Sequence, residues 1–521
     1  MNLAQIIEPH PDGAAAFSFR GDTVTYGELR RRCAAVRLSL AARGIAAGER
    51  VALVFGATPE FAVAYFGALG SGAVAVPLNP NSPVAEIDGE LRAVRASLVL
   101  VASDGSEAAD ALAEQLRGLG HEVAELSLLD GSGQPRRTGE AQGIGEPQGT
   151  VDPQANEPTA PIVDREPDDQ AALLFTSGTA GSPKAAVLTH GSLLANIEQV
   201  ELRVGLAALA NDVGILAVPP FHILGLNAVL GVQAYVGGRL VLLERFDPAT
   251  MLEAIASEGV TVLAGVPQMF AALAGFEGAT GSELSSVRLA CSGAAPLAEA
   301  TAERFEQKFG VPIWQGYGLT EASPTVTFPD LSGRRQVSSV GIPLPGVEVR
   351  LVDPDGHEVE TGDPGEILVR GPNVFAGYFE DALATSAALD RKGWLHTGDI
   401  AVMSDDCSIT IVDRQKDLII VSGFNVFPAE VEHVLEAHPL VEESAVVGVP
   451  DDTFGETVRA FVVPVCSIWP EDAAAPEGLT TEDLASHCMR HLARYKCPHS
   501  VIFVRELPRG IQGKVLRRAV S

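Results

Sequence analysis

Four short segments carry residue types suited to handling a polyanion. The first is Thr176-Ser-Gly-Thr-Ala-Gly-Ser-Pro-Lys184, flanked by the strand-like runs Ala171 to Phe175 and Ala185 to Leu188. Thr176, Ser177, Gly178, Thr179 and Gly181 make a loop whose backbone N–H groups and hydroxyls can wrap phosphate oxygens, and Lys184 adds a cation. It is not a Walker A loop: Pro183 stands where that motif needs glycine, and no Ser or Thr follows the lysine. A Ser/Thr/Gly-rich turn alone is common, so the lysine is what points to an anion.

In the second segment, Gln315-Gly-Tyr-Gly-Leu-Thr-Glu321, Tyr317 between Gly316 and Gly318 offers a flat stacking face with room beside it. The Thr320 hydroxyl can meet a phosphate oxygen, and the Glu321 carboxylate can hold a hard cation such as Mg²⁺. Standing alone, the string would equally suit a core tyrosine in a turn. The third segment, Trp394-Leu-His-Thr-Gly-Asp399, is followed by Asp413-Arg414. A carboxylate at a loop end suits paired ribose hydroxyls, and the plain alternative is a solvated turn aspartate. The fourth, Leu507-Pro-Arg-Gly-Ile-Gln-Gly-Lys514-Val-Leu-Arg-Arg, puts a point charge on a glycine hinge. Its plain alternative is a basic tail. From Arg490 to Ser521 there are eight Lys/Arg and only Glu506 to oppose them, which suggests an anionic ligand for this region.

That concentration stands out because the chain is acidic: 37 Lys plus Arg face 67 Asp plus Glu, a formal charge of −30. Such a surface repels phosphate backbones and anionic lipid, so nucleic acid is not an expected partner. At 521 residues, 46% hydrophobic and 20% charged, the chain reads as globular and too long for one core. The N-terminus has no signal-peptide pattern. The apolar stretch Val213 to Gly238 is broken by Pro219, Pro220 and His222, so a buried core segment is expected rather than a transmembrane span. Six cysteines (33, 291, 407, 466, 488, 497) lack paired spacing, which fits reduced thiols and a cytoplasmic location. His487 and His491 share a helix face, but without a zincin glutamate a solvated face is expected, not zinc. No Gly-x-Ser-x-Gly elbow supports a serine hydrolase. Gly70-Ser-Gly follows a helix pattern and reads as packing, not as a dinucleotide loop.

The elements that must position these segments alternate. Thr25-Tyr-Gly-Glu-Leu opens a helix; Arg50 to Phe55, Ala73 to Pro77 and Ser97 to Ala102 read as buried strands, and Glu60 to Ser71 as a helix. This predicts an α/β fold with layers around a largely parallel sheet. Between 130 and 169 the apolar pattern gives way to Gly, Pro, Gln, Glu and Asp, which predicts an exposed flexible loop inserted in one large domain. After Ile411 the pattern shifts. Strand-like Ser408 to Val412 and Leu418 to Val421 flank a charged run, then come a helix at Pro428 to Ala437, strands near Ser444 to Val449 and Arg459 to Val465, and a helix from Thr481. The expected organisation is a large N-terminal domain over 1–413, a hinge at 414–417 and a small mobile α+β domain over 418–521.

In order and spacing the four segments resemble the adenylate-forming (AMP-binding) superfamily, which includes acyl-CoA synthetases, peptide-synthetase adenylation domains and luciferases. Pro220-Phe-His222, Ser292-Gly-Ala-Ala-Pro-Leu297, Gly365-Glu-Ile-Leu-Val, Arg414-Gln-Lys416-Asp417, Gly423-Phe-Asn-Val-Phe-Pro428 and Tyr495-Lys-Cys-Pro498 extend the likeness over essentially the whole chain. The resemblance implies two half-reactions: a carboxylate attacks the ATP α-phosphate to give acyl-AMP and pyrophosphate, and a thiol then displaces AMP. It implies that 176–184 hold the β/γ-phosphates and that Tyr317 stacks on adenine beside Gly293, Ala294 and Ala295, with Gln315 and Gly316 in the same nucleotide site. It further implies Thr320 at the α-phosphate, Glu321 with Thr176 at Mg²⁺, Asp399 and Arg414 at the ribose, and Asn425 near the nucleotide. Lys514 would bridge the carboxylate and α-phosphate, offsetting charge as two anions approach. His222, Gly293 and Gly316 would border the acyl group. Lys416 would be the hinge about which the small domain rotates between steps, after which Ser422, Gly423 and Lys496 would serve CoA. Ala180 and Ala185 replace a hydroxyl and a glycine of the family's phosphate loop; both are small.

Amino-acid-activating relatives carry an aspartate just after the His222 motif, whereas Phe221-His-Ile-Leu-Gly-Leu is apolar here, so an amine-free acid is favoured. Val421-Ser-Gly-Phe-Asn-Val-Phe-Pro looks most like fatty acyl-CoA synthetases. The expectation is an ATP-, Mg²⁺- and CoA-dependent ligase for a medium- or long-chain fatty acid. An aryl-acid (4-coumarate-like) ligase, an acyl-AMP ligase loading a carrier protein and a non-catalytic nucleotide- or acyl-binding protein are the alternatives. Association as a homodimer is left open by the sequence.

Overall fold

Apolar runs without alternation need cover on both faces, which parallel strands flanked by helices provide. The computed structural model builds its larger unit, Met1–Val349 with Val369–His396, on two such sheets. It describes all residues except 104–105, 127–159, 177–183, 206–211, 334, 415–418, 422–423, 452–454, 466–468, 470–476, 493, 510–514 and 520–521; the side chains of 413, 414, 420, 424, 425, 455 and 518 are also not described.

In the first sheet the order is Val123–Leu126, Leu98–Ala102, Arg50–Val54, Val74–Leu78, Gln170–Thr176 and Lys184–Thr189. All neighbours are parallel except the last pair, which runs antiparallel with Thr176 opposite Lys184. In the second the order is Ile313–Gln315, Leu289–Ser292, Val262–Gly265, Val213–Leu216, Arg239–Leu242, Ala15–Phe19 and Asp22–Thr25, parallel except for the final hairpin. The helix Tyr26–Ala42 starts where Thr25 accepts from the Glu28 N–H. It lies close to the wholly buried helix Pro59–Gly70, where a Cβ on Gly67 would stand 2.7 Å from Val36 Cβ.

The apolar stretch after Val213 is a core segment, as expected. A π-helix, Leu224–Gly231, follows the Pro219-Pro220 turn and runs into the helix Val232–Val236. Among the described residues no helix is long and apolar enough to cross a membrane, and no disulfide joins the cysteines.

The expected loop over 130–169 falls in two parts. Residues 130–159 lie outside the described residues, whereas 160–169 are tied down. Asn2 donates to the Val163 carbonyl at 2.9 Å and Arg37 to the Ala160 carbonyl at 2.8 Å, and the Val163 N–H reaches Gly70 at 2.8 Å. Polar composition concealed these anchors because they are backbone groups.

The second unit, Arg350–Leu368 with Thr397–Ser521, holds a sheet in which Gly455–Pro464 pairs antiparallel with Val441–Asp451 and parallel with Ser500–Phe503. The helices Pro428–Glu436 and Thr481–His491 cover one face through Val431, Leu435, Leu484 and Cys488. Ala445, Val447, Phe461, Val463 and Leu507 form a cluster of their own. The unit takes in 397–413, on the N-terminal side of the expected hinge, while 415–417 of that hinge lie outside the described residues.

His190, at the start of the helix His190–Val204, is 1% exposed and accepts the Leu3 N–H on Nδ1 at 3.0 Å, while Nε2 has no hydrogen-bond partner among the described residues. Burial first, then the nearby Arg165 and terminal amine, push its pKa down to about 4 against the opposing pull of Asp169. The fold therefore favours neutral imidazole. That stabilisation is complete above the ordinary histidine range and is lost as pH falls from about 6.5 towards 4, by up to roughly 3 kcal/mol. His190→Gln keeps an acceptor for Leu3 and should lose less stability between pH about 7 and about 4 than the wild type, as read by thermal unfolding. Equal acid sensitivity would count against this assignment.

Candidate functional site

The second sheet ends its parallel strands together: Ala264 stands opposite Cys291, and Ser292 opposite both Gly265 and Gln315. The loops leaving those carboxyl ends carry the two glycine-bearing motifs. Gly293 N–H bonds the Gly265 carbonyl at 3.1 Å, Gly316 N–H bonds Ser292 at 3.0 Å, and Gln315 Nε2 reaches the Ala295 carbonyl at 3.5 Å. Ala294 turns the first loop with φ +69°, a left-handed conformation that costs an L-residue about 1–2 kcal/mol. Gly293 has room on its free side: among the described residues a Cβ there would meet only Leu224 Cδ1 at 3.7 Å. Gly316 has none: a Cβ would stand 2.9 Å from Phe328 Cδ2 and 3.1 Å from the Thr327 carbonyl.

Tyr317 and Gly318 form a short strand against Thr325–Phe328, and Thr320–Ala322 make a single 3₁₀ turn. Asn196 clamps this region by exchanging hydrogen bonds with the Thr325 backbone at 2.7 and 3.0 Å. Asn373 donates to the Ala322 carbonyl at 2.9 Å.

His222 sits half-buried in the turn before the π-helix, where its N–H bonds Pro219 at 3.2 Å and its carbonyl accepts from Leu226 at 2.9 Å. Asn227, one π-turn on, is 1% exposed and donates to Ser323 at 2.7 Å and Leu193 at 3.1 Å. It thereby ties the histidine segment to the turn after Glu321.

Lys184 and Glu321 are joined through a residue the sequence reading did not single out. Tyr378 Oη donates to Glu321 Oε1 at 2.7 Å, and Lys184 Nζ lies 5.3 Å above the centre of the same ring. Segment 376–379 adds to the edge strand Lys184–Thr189, with Val187 N–H bonded to Gly377 at 2.9 Å and Phe379 N–H to Ala185 at 2.8 Å. Burial, then the Glu321 carboxylate, push the Tyr378 phenol well above its ordinary range, so it remains a donor. Its signal was present as an aromatic after glycine, Phe375-Ala-Gly-Tyr378, the same form as Gly316-Tyr317. Thr176 Oγ1 lies 3.4 Å from the Lys184 carbonyl, while Ser177, Gly178, Thr179 and Gly181 are outside the described residues. Thr176, Lys184, Tyr378 and Glu321 thus form one connected series. Glu321 supplies an oxygen of the kind Mg²⁺ takes together with waters and phosphates.

In the second unit, Asp399 is not at a loop end. It lies within the strand Leu395–Met403, just after Gly398 at φ +69°, and its backbone faces Arg414. It is only 4% exposed, which removes the reading of a solvated turn aspartate. Asn425 lies in the strand Phe424–Val426 opposite Ile420. Lys416, Ser422, Gly423 and Lys514 are outside the described residues. Lys496 is held by Glu430, both oxygens at 2.7 Å. Other cations of the basic stretch are also engaged: Arg517 with Glu432, Arg509 with Glu443, and Arg505 4.9 Å above Trp469. The carboxylates that balance this stretch come from outside it, so its charge is smaller in the fold than in the sequence. His487 is a buried residue bonded to the Val434 carbonyl at 2.9 Å rather than part of a solvated face. Among the described residues the one close group of three acidic or histidine ligands is Asp353, Asp355 and His357, in a mostly exposed turn.

Comparison with known proteins agrees with this architecture. Residues 3–379 match the family described as AMP-binding enzyme, and residues 430–514 the AMP-binding enzyme C-terminal domain. A long-chain-fatty-acid–CoA ligase of Yersinia pestis is 35% identical, covering 96% of this chain and 90% of that protein. A feruloyl-CoA synthase of an Amycolatopsis species is 36% identical over 99% of this chain and 96% of its own. ATP-bound MatB from Rhodopseudomonas palustris superposes with a TM-score of 0.86 at 32% identity, covering 100% of this chain and 98% of that one. The chain therefore belongs to the AMP-binding enzyme family, within the adenylate-forming superfamily.

The contrast between the two loop glycines is testable. Gly316→Ala should lower thermal stability by about 1–3 kcal/mol through overpacking, whereas Gly293→Ala should leave it close to wild type. Equal melting temperatures for the two variants would contradict the packing described.

Proposed function

We propose that this protein is an AMP-forming acid–thiol ligase that converts an amine-free carboxylic acid, preferably a medium- or long-chain fatty acid, to its CoA thioester in the cytoplasm. The observation that carries the substrate reading is the character of segment 221–231. From Phe221 to Gly231 it contains no carboxylate, and its one amide, Asn227, is spent on backbone carbonyls. A substrate ammonium would find no counter-charge in this segment. The aryl-acid reading is favoured in turn by the feruloyl-CoA synthase and by a rice 4-coumarate–CoA ligase, 36% identical over 96% of this chain and 87% of its own length. Both readings share one chemistry.

A carboxylate is a poor electrophile and ATP is itself an anion, so the first step needs cations fixed where the two meet. Lys184 and the 177–183 loop hold the β/γ-phosphates, Tyr317 and the 293–295 loop hold the adenine, and Thr320 meets the α-phosphate. Asp399 and Arg414 serve the ribose, and Asn425 the nucleotide. Mg²⁺, held by Glu321 with Thr176, would supply charge neutralisation at the phosphates. Lys514 bridges the carboxylate and α-phosphate as their oxygens approach. After acyl-AMP forms and pyrophosphate leaves, rotation about Lys416 withdraws Lys514. It brings Ser422 and Gly423 to the pantetheine path, and the CoA thiol displaces AMP. His222 borders the acyl group at that path. Lys496, paired with Glu430, serves CoA phosphate only by exchanging that partner.

A panel of fatty and hydroxycinnamic acids with ATP, Mg²⁺ and CoA should yield acyl-CoA and AMP, with the fatty acids turned over faster. Release of ADP, or no turnover with any acid, would sink the ligase reading. Lys514→Ala should slow acyl-AMP formation by at least about 100-fold while CoA attack on supplied acyl-AMP stays largely intact. Equal loss of both steps would refute that division of labour.

A further inference from the structure

Lys184 and Glu321 carry opposite charge, yet no ion pair joins them among the described residues; the phenol of Tyr378 stands between them. It meets each by a different property. The hydroxyl donates to Glu321 Oε1 at 2.7 Å, and the π face receives the Lys184 ammonium 5.3 Å from the ring centre. A direct pair would neutralise both groups, leaving less charge for a phosphate and a weaker oxygen ligand for a cation. We propose that Tyr378 is a positioning residue that keeps Lys184 and Glu321 apart and aimed, so that each stays available to Mg²⁺-bound ATP. This rests on the reading of Glu321 as the metal-holding carboxylate and Lys184 as a phosphate-holding cation.

The backbone shows how firmly the ring is placed. Tyr378 N–H donates to Thr385 Oγ1 at 2.9 Å, and segment 376–379 is hydrogen-bonded to Ala185 and Val187 on the strand that Lys184 opens. Phe375 packs edge-on against the Tyr378 ring at 5.0 Å and 78°. The Phe375 N–H also bonds the Glu321 carbonyl at 2.9 Å. The strand that carries the lysine and the turn that carries the glutamate are therefore both fastened to one five-residue segment, 375–379. The distance between the two charges follows the geometry of that segment, not the reach of two flexible side chains. Tyr378 itself donates no proton to substrate and takes no part in bond making.

Two substitutions separate the two contacts. Tyr378→Phe keeps the ring, the packing on Phe375 and the cation contact, and removes only the bond to Glu321. Tyr378→Ala removes both and lets Lys184 close on Glu321. Calorimetric titration of ATP at a series of Mg²⁺ concentrations, with metal-free AMP as the control ligand, reads the effect without any turnover. Tyr378→Phe should raise the Mg²⁺ needed for half-maximal ATP affinity by about 10-fold, as expected for losing a hydrogen bond to a charged group. Tyr378→Ala should lose more, and AMP affinity should hold in both. Added to Glu321→Gln, Tyr378→Phe should cost nothing further, because the carboxylate it orients is gone.

An unchanged Mg²⁺ requirement in Tyr378→Phe, an equal loss of AMP affinity, or full additivity with Glu321→Gln would each overturn the proposal. Because binding alone is measured, a failed acid panel would remove the ligase reading without deciding this one. A failure here would leave the ligase reading standing.

Discussion

The larger unit depends on where its parallel strands stop. Parallel neighbours share direction, so the loops leaving their carboxyl ends emerge on one side, and a ligand site can be assembled there from segments far apart in sequence. Ser292 and Gln315 end two adjacent strands in register, which puts the Gly293–Ala295 turn beside Gly316 and Tyr317. One residue of slip in either strand would invert every following side chain. The strained φ of Ala294 and the absence of room at Gly316 are local consequences of holding these turns so close.

The first sheet contributes through its antiparallel edge. Lys184 opens the strand Lys184–Thr189, and the next segment along that edge is 376–379, nearly two hundred residues later. The edge pairing turns a distant aromatic into the neighbour of a lysine and a carboxylate. Asn227 works similarly from the π-helix, spending its amide on the Leu193 and Ser323 carbonyls and so linking the His222 turn to the turn after Glu321. Polar side chains here serve backbone carbonyls from which water is excluded, so losing one leaves an uncompensated buried group.

The charge distribution reads differently in three dimensions. A net −30 with a basic last thirty residues suggests a cationic surface on the smaller unit. In the fold, Glu430, Glu432 and Glu443 reach Lys496, Arg517 and Arg509, and Trp469 receives Arg505. Those glutamates come from the helix Pro428–Glu436 and the strand Val441–Asp451, both distant in sequence from the basic stretch. Much of the apparent anion-binding potential is structural pairing.

From the sequence alone came the α/β alternation and the buried strands 50–54, 74–78 and 98–102 to within a residue or two, because local apolar runs encode these directly; the glycine-lysine strings supplied the candidates for the site. Tyr378 escaped notice because its meaning lies in two partners at separations of 57 and nearly two hundred residues, and no local pattern reports pairing across a sheet edge. Asp399 looked like a loop residue because the glycine before it resembles a turn, yet that glycine lies inside a strand at φ +69° and the aspartate is buried. Residue types and their spacing determined which chemistry is available. Tertiary structure decided which charges are paired off and which are held apart, because that depends on side-chain distance, and distance is set by strand register and packing.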